Sequence, residues 1–101
     1  MIDKDTLIHR VSNPKKAQVN AKKYLGNSAK LFISSREHKK YSILNPKTNK
    51  YIHFGNINYE DYTKHKDKSR RDKYHKRFAG LKGDFKDDPY SPYNLALNIL
   101  W

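Results

Sequence analysis

Two sets of residues in this 101-residue chain have chemistry that could reach beyond its own fold: five histidines at positions 9, 38, 53, 65 and 75, and a dense run of cations between Lys64 and Arg77. Imidazoles hold metal ions when two of them sit i, i+4 on a helix or in a His-x-His pair, with thiolates as the commonest partners. Neither spacing occurs, and the chain has no cysteine. A metal site would need His and carboxylates gathered by the fold alone, so no metal and no other cofactor is expected. His65 and His75 read as solvated members of the basic segment. A His-containing hairpin followed by a helix invites comparison with small metal-dependent nucleases, yet the ligand set such an enzyme needs is missing. There is no phosphate-binding Gly loop, no Gly-x-Ser-x-Gly elbow and no carboxylate pair in an apolar setting. Asp87 and Asp88 precede Pro89 and read as loop punctuation. The sequence assigns no catalytic residue and no small-molecule substrate, and it reads as non-enzymatic.

The cations carry more. Lys64, Lys66, Lys68, Arg70, Arg71, Lys73, Lys76 and Arg77 are interleaved with Tyr74 and preceded by Tyr62. On a helix these eight cannot share one face, but Lys66, Arg70, Lys73 and Arg77, spaced four, three and four apart, form one stripe. Such a stripe neutralises phosphates, and the affinity it gives is salt-dependent and largely blind to base sequence. The candidate nucleic-acid contacts are Lys66, Arg70, Arg71, Lys73 and Arg77, joined by Lys15, Lys16, Lys22 and Lys23 upstream. Tyr51 and His53, on the reverse of their strand, could stack on bases of a single strand, although an ordinary half-buried sheet face is the preferred reading.

The charge distribution supports a polyanion partner. The net charge is +12, from 22 Lys and Arg against 10 Asp and Glu. Residues 6–59 contain a single acid, Glu37, whereas the last nineteen residues lean acidic. A basic body of this kind presents a cationic surface to a polyanion. No stretch approaches the ~18–20 apolar residues of a membrane span, so no membrane is expected. The start, MIDKDTLIHR, has no apolar run suited to a secretory leader, and a secreted protein is not expected. Leu, Ile, Val and Phe number 21 of 101, close to the roughly 20% below which charged chains stay disordered. Eight Tyr, four Phe and one Trp enlarge the supply of buriable surface, so the expectation is one small domain over residues 1–101 with a modest core.

The elements that must position the cations follow from local signals. Residues 12–26 read as a helix with a Ser or Asn cap, Pro14 at its first position and Gly26 at its end. Residues 29–55 read as a three-stranded antiparallel meander, from strands at 29–35, 39–45 and 49–55, with a turn at Asn45 to Asn49. Tyr41 and Ile43 share one face, as do Ile52 and Phe54. Residues 58–78 read as one long basic helix capped by Asn58, with Glu60–Lys64, Asp67–Arg71 and Asp72–Lys76 as i, i+4 pairs. No apolar residue lies between Thr63 and Lys73, so its middle turns have no evident face to bury. Residues 91–101 open on Ser91 and Pro92 and read as a short apolar C-terminal helix, either completing the core or presenting Leu97, Leu100 and Trp101 to a partner. The fold class is α+β.

The strings KYIHFG (50–55), YEDYTKHKDKSRRDKYHKR (59–77) and KDDPYSPYNLALNILW (86–101) together resemble a family of small uncharacterised basic proteins of large (nucleocytoplasmic) DNA viruses and some tailed phages. The resemblance rests on His53, Phe54, Gly55, Asp61, Tyr62, Thr63, His65, Lys66 and Asp67 in order, and the KKYLG at 22–26 is also similar; Asn58, His75 and Phe85 depart from the pattern. It implies a viral origin, residence in the virion or in the cytosol or nucleus of an infected cell, and no established activity. Two functions are therefore expected as alternatives. One is genome- or virion-associated nucleic-acid binding through phosphate contacts. The other is a minor capsid or cement role, in which the basic surface and the apolar C-terminus meet neighbouring virion proteins.

Overall fold

The computed structural model describes residues 2–101, with the backbone alone at 84 and 85. The architecture is α+β: two N-terminal helices, a three-stranded antiparallel sheet, two further helices and a C-terminal helix. Helix α1, Lys4–Val11, has no counterpart in the sequence reading. It is capped by Asp3, whose side chain accepts from the Thr6 N–H at 2.8 Å. Ile8 is its one fully buried residue, and the Lys4 ammonium donates to the carbonyls of Ser34 and Arg36. A short polar helix like this is stabilised by tertiary contacts rather than by periodicity. Helix α2, Pro14–Leu25, has Asn13 as cap, Pro14 in its first turn and Gly26 as C-cap. It buries Ala17 and Ala21.

Strands β1 (Leu31–Ile33), β2 (Lys39–Asn45) and β3 (Lys50–Asn56) pair in the order β1-β2-β3. Tyr41 faces Phe54 and Ile43 faces Ile52 across the β2–β3 hairpin, which places the expected apolar pairs on the core face. At the Gly55 end of β3 the backbone takes φ +81°, and a Cβ there would lie 3.0 Å from Leu100 Cδ1 and 3.1 Å from Lys40 Cβ. Only glycine meets both demands.

The expected single helix over 58–78 is two. Helix α3, Tyr62–His65, is capped by Asp61 and ends at Lys66, which lies in the left-handed region at φ 55°. Helix α4, Lys68–Gly80, starts afresh with Asp67 as cap, its carboxylate accepting from the Ser69 and Arg70 N–H groups. Asn58 caps neither helix; its N–H donates to the Asn56 side chain within a turn. Among the described residues none of the three expected i, i+4 ion pairs closes, because Glu60 precedes α3 and Asp67 is committed to its cap. The physical reason for the break is the missing apolar face: an unbroken helix over Thr63–Lys73 would gain no burial, whereas the break turns Thr63 and His65 inward.

After a 3₁₀ turn at Asp84–Asp87, helix α5 runs over Pro92–Leu95, with the Ser91 hydroxyl accepting from the Asn94 N–H, and continues as a π-helical turn over Ala96–Leu100. This segment lies against α2 and β3. Leu95, Ile99 and Leu100 join Ile8, Ala17, Ala21, Tyr41, Ile43, Phe54 and Ala96 in one core. Asn20 donates to the Ile99 carbonyl and the Tyr24 hydroxyl to that of Pro89. The C-terminal segment is thus the missing piece of core. Leu100 is buried within its own chain and is withdrawn as a partner contact; Leu97 and Trp101 are half-buried.

Candidate nucleic-acid interface

The node that fixes α3 against the sheet is a buried polar network. Lys40 Nζ lies 3.0 Å from Asp61 Oδ2, with both side chains almost wholly buried. The other oxygen of Asp61 accepts from the Thr63 N–H at 3.0 Å and from the Thr63 hydroxyl. Thr63 Oγ1 accepts from the Asn13 N–H at 2.9 Å and lies 3.2 Å from the Ser12 hydroxyl, which in turn accepts from the Tyr41 hydroxyl at 2.7 Å. The Asp61 N–H closes the circuit on the Val11 carbonyl. Four segments meet here: the α1–α2 junction, β2, the residues before α3, and α3 itself. Burial pulls the Lys40 ammonium below the ordinary lysine range while Asp61 pulls it back, and burial holds the Tyr41 phenol well above its usual range.

Beyond the node, α4 divides its cations between two cavities. The first, of about 630 Å³, is lined by Arg70, Lys73 and Arg77 from one face of α4, by Tyr74 and Trp101, and by Lys40, Gly55, Tyr59 and Glu60. Glu60 is the one acidic side chain in its lining. Three of the four residues of the expected stripe are here; Lys66 is not, because the chain break removes it from the helix. The Tyr74 ring stacks parallel on Trp101, with centroids 4.5 Å apart and planes 6° apart, and the Arg77 guanidinium lies 5.6 Å from the Tyr74 centroid. Tyr59 keeps 65% of its surface exposed at the rim. The cavity therefore sets cations beside aromatic rings, of which Tyr59 offers an open face while Tyr74 is held between Trp101 and Arg77.

The second cavity, of about 660 Å³, lies on the other side of Trp101 and takes Lys16, Lys66 and Arg71. Arg71 has an internal role: its Nε donates to the Trp101 backbone oxygen at 2.9 Å and its guanidinium lies 5.1 Å from the Tyr62 centroid. It ties the chain's apolar end to α4 through Nε, apart from the stripe of Arg70, Lys73 and Arg77. Lys15, Lys22 and Lys23 are exposed on α2 and line neither cavity.

His65 is not solvated as expected. Its Nδ1 accepts from the Asp67 N–H at 2.9 Å, its ring lies 5.2 Å from that of Trp101, and burial lowers its pKa. On the open sheet face His53 Nδ1 lies 2.6 Å from the Ser34 hydroxyl, and Tyr51 packs edge-on against Phe32 at 6.0 Å. Burial, with Arg36, Lys4 and Lys39 nearby, lowers the His53 pKa. Among the described residues no three His, Asp or Glu side chains converge as a metal site would require. Sequence reasoning missed Tyr59, Tyr74 and Trp101 as members of the cleft. The available signal was Tyr74, four residues after Arg70 and three before Arg77 on the same stripe.

Fold and site together define a small α+β domain with a cationic, aromatic-walled cleft. Residues 29–78, which carry the sheet, the Lys40, Tyr41, Asp61 and Thr63 members of the polar node and most of α4, match a family of unknown function (DUF5754). No curated protein and no solved structure matches the chain.

Proposed function

We propose that the chain is a non-enzymatic nucleic-acid-binding protein that holds a single strand in the cleft over α4. Arg70, Lys73 and Arg77 contact phosphates, and Tyr59 offers its exposed face to a base. The observation that carries this reading is the convergence of those three cations with Tyr59, Tyr74 and Trp101 around one cavity. Phosphate contacts from Lys and Arg give affinity without sequence readout, so the partner class is nucleic acid in general. In the setting that the resemblance to viral proteins implies, that strand is viral genome or transcript, and the protein acts in the virion or the infected cell. The alternative, a virion structural role through the C-terminal apolar residues, has less support because Leu100 is buried in its own chain.

The test is binding of fluorescently labelled single strands and duplexes over a range of salt. The expected result is tighter binding of single strands, a linear fall of log K with log[salt], and quenching of Trp101 emission. Absence of binding at about 50 mM salt, where phosphate contacts are strong, overturns the reading.

A further inference from the structure

The cavity on the opposite side of Trp101 has a composition that the strand-binding reading does not use. Its lining includes Lys16, Lys66, Arg71 and His75 but no Asp or Glu side chain. Among the described residues neither the Lys16 nor the Lys66 ammonium has a hydrogen-bond or ion-pair partner. His75 Nε2 is buried there and has no partner either. Two free ammonium groups in a lining without an acidic side chain suit an anion, and the buried His75 nitrogen marks a wall whose polar groups are not all satisfied.

The remaining walls are suited to the rest of a nucleotide. Tyr62, Leu97 and Trp101 supply apolar and aromatic surface. Asn20 and Asn98 are oriented by their own donors, which bind the carbonyls of Ile99 and Asn94 at 2.8 Å each. Their amide oxygens remain to accept from base N–H groups. A volume of about 660 Å³ falls within the roughly 300–1,000 Å³ of small-molecule sites.

We infer that this cavity binds a nucleoside monophosphate group, with Lys16 and Lys66 on the phosphate, His75 in the wall beside it, and the base between Tyr62, Leu97 and Trp101. The group is either a free mononucleotide or the phosphorylated 5′ end of a strand. The inference rests on the lining of this cavity alone and does not require the strand cleft.

The experiment follows the His75 imidazole by long-range ¹H–¹⁵N NMR during titration with AMP, with inorganic phosphate, and with one tetranucleotide bearing either a 5′-phosphate or a 5′-hydroxyl. The His75 ring resonances are expected to shift with AMP or with the 5′-phosphorylated strand; the first assigns a free nucleotide, the second a strand end. The double variant K16Q/K66N is expected to weaken that binding at least tenfold. Both sites are exposed, and Asn tolerates the left-handed backbone at position 66. The double variant R70Q/K73Q, in the other cleft, leaves AMP binding within twofold; its effect on the strand is scored apart, because Arg70 and Lys73 belong to the strand cleft. No His75 shift at about 10 mM ligand, about tenfold above a millimolar Kd, overturns the inference. So does equal loss in the two double variants, or inorganic phosphate binding as tightly as AMP. Strand binding is scored separately by its salt dependence, so failure of one site is distinguishable from failure of the other.

Discussion

Replacing Lys40 by Met keeps an unbranched side chain of similar reach next to Gly55 but removes the ammonium from a pair that is 2% and 0% exposed. At 3.0 Å and an effective dielectric of about 20, the gross attraction is about 5–6 kcal/mol. Much of that is offset by the desolvation of both ions. What decides the outcome is the partner left behind: Asp61 would keep its two bonds from Thr63 on one oxygen but hold an uncompensated charge on the other. Breaking a buried pair from one side costs about 3–5 kcal/mol. For a domain of this size that is a fall in Tm of about 12–40 °C, set against a total stability of about 5–15 kcal/mol. D61N destabilises too, since it strands the Lys40 ammonium. The double variant K40M/D61N, with no buried charge and the Thr63 bonds still accepted by the amide oxygen, recovers most of the loss. The assay is urea unfolding followed by the emission of Trp101, which reports its stacking on Tyr74. K40M within 1 kcal/mol of the parent, or a double variant as unstable as the sum of the singles, would refute the claim that this pair anchors α3.

Further outcomes follow from the same geometry. G55A is expected to lose about 2–4 kcal/mol, from a positive φ and from crowding against Leu100 and Lys40; unchanged urea unfolding contradicts the tight approach. L100A is expected to lose about 2–5 kcal/mol, and deletion of residues 95–101 to unfold the domain by circular dichroism, because these residues are core; a stable truncated fold would restore the docking reading of this segment. Tyr41 has a folded pKa above its unfolded one, so its contribution is complete below about pH 10 and is lost as pH rises through the folded value. Tyr24 and Tyr74, also raised by burial, act in the same direction. Stability therefore declines above about pH 10, and Y41F, at a loss of about 1 kcal/mol for its bond to Ser12, shows a shallower alkaline decline in pH-resolved thermal melts. R71Q is expected to lower Tm by a few degrees, roughly 1 kcal/mol, while leaving the salt slope of strand binding unchanged.

Much of the framework is legible in the residues because its signals are local. Asn13, Pro14 and Gly26 mark α2, the segment Asn45–Asn49 marks the hairpin, the alternation of Tyr41, Ile43, Ile52 and Phe54 marks the core face, and Ser91–Pro92 marks α5. What is not legible depends on distant partners. Helix α1 is polar and short, and it exists because Ile8 enters the core and Lys4 reaches the carbonyls of Ser34 and Arg36. The break at Lys66–Asp67 hides inside a plausible ladder of acid–base pairs; the absence of any apolar residue between Thr63 and Lys73 was its one sign. Most residues of the HFG (53–55) and DYTKHKD (61–67) strings have structural work: Phe54 is core, Gly55 gives clearance, Asp61 and Thr63 form the node, and His65, Lys66 and Asp67 shape the break. The cleft itself needed three dimensions, since Tyr59, Tyr74 and Trp101 come from separate segments.

The most direct test of strand binding is the salt slope of a labelled single strand on the parent and on R70Q/K73Q/R77Q, measured by fluorescence anisotropy. With about 0.7 counterions released per single-strand phosphate contact, loss of three contacts is expected to reduce the slope of log K against log[salt] by about 2, with thermal stability retained because the three side chains lie on the cleft face of α4. A variant that folds normally and keeps the parent's slope would contradict the assignment of these cations to the phosphate backbone.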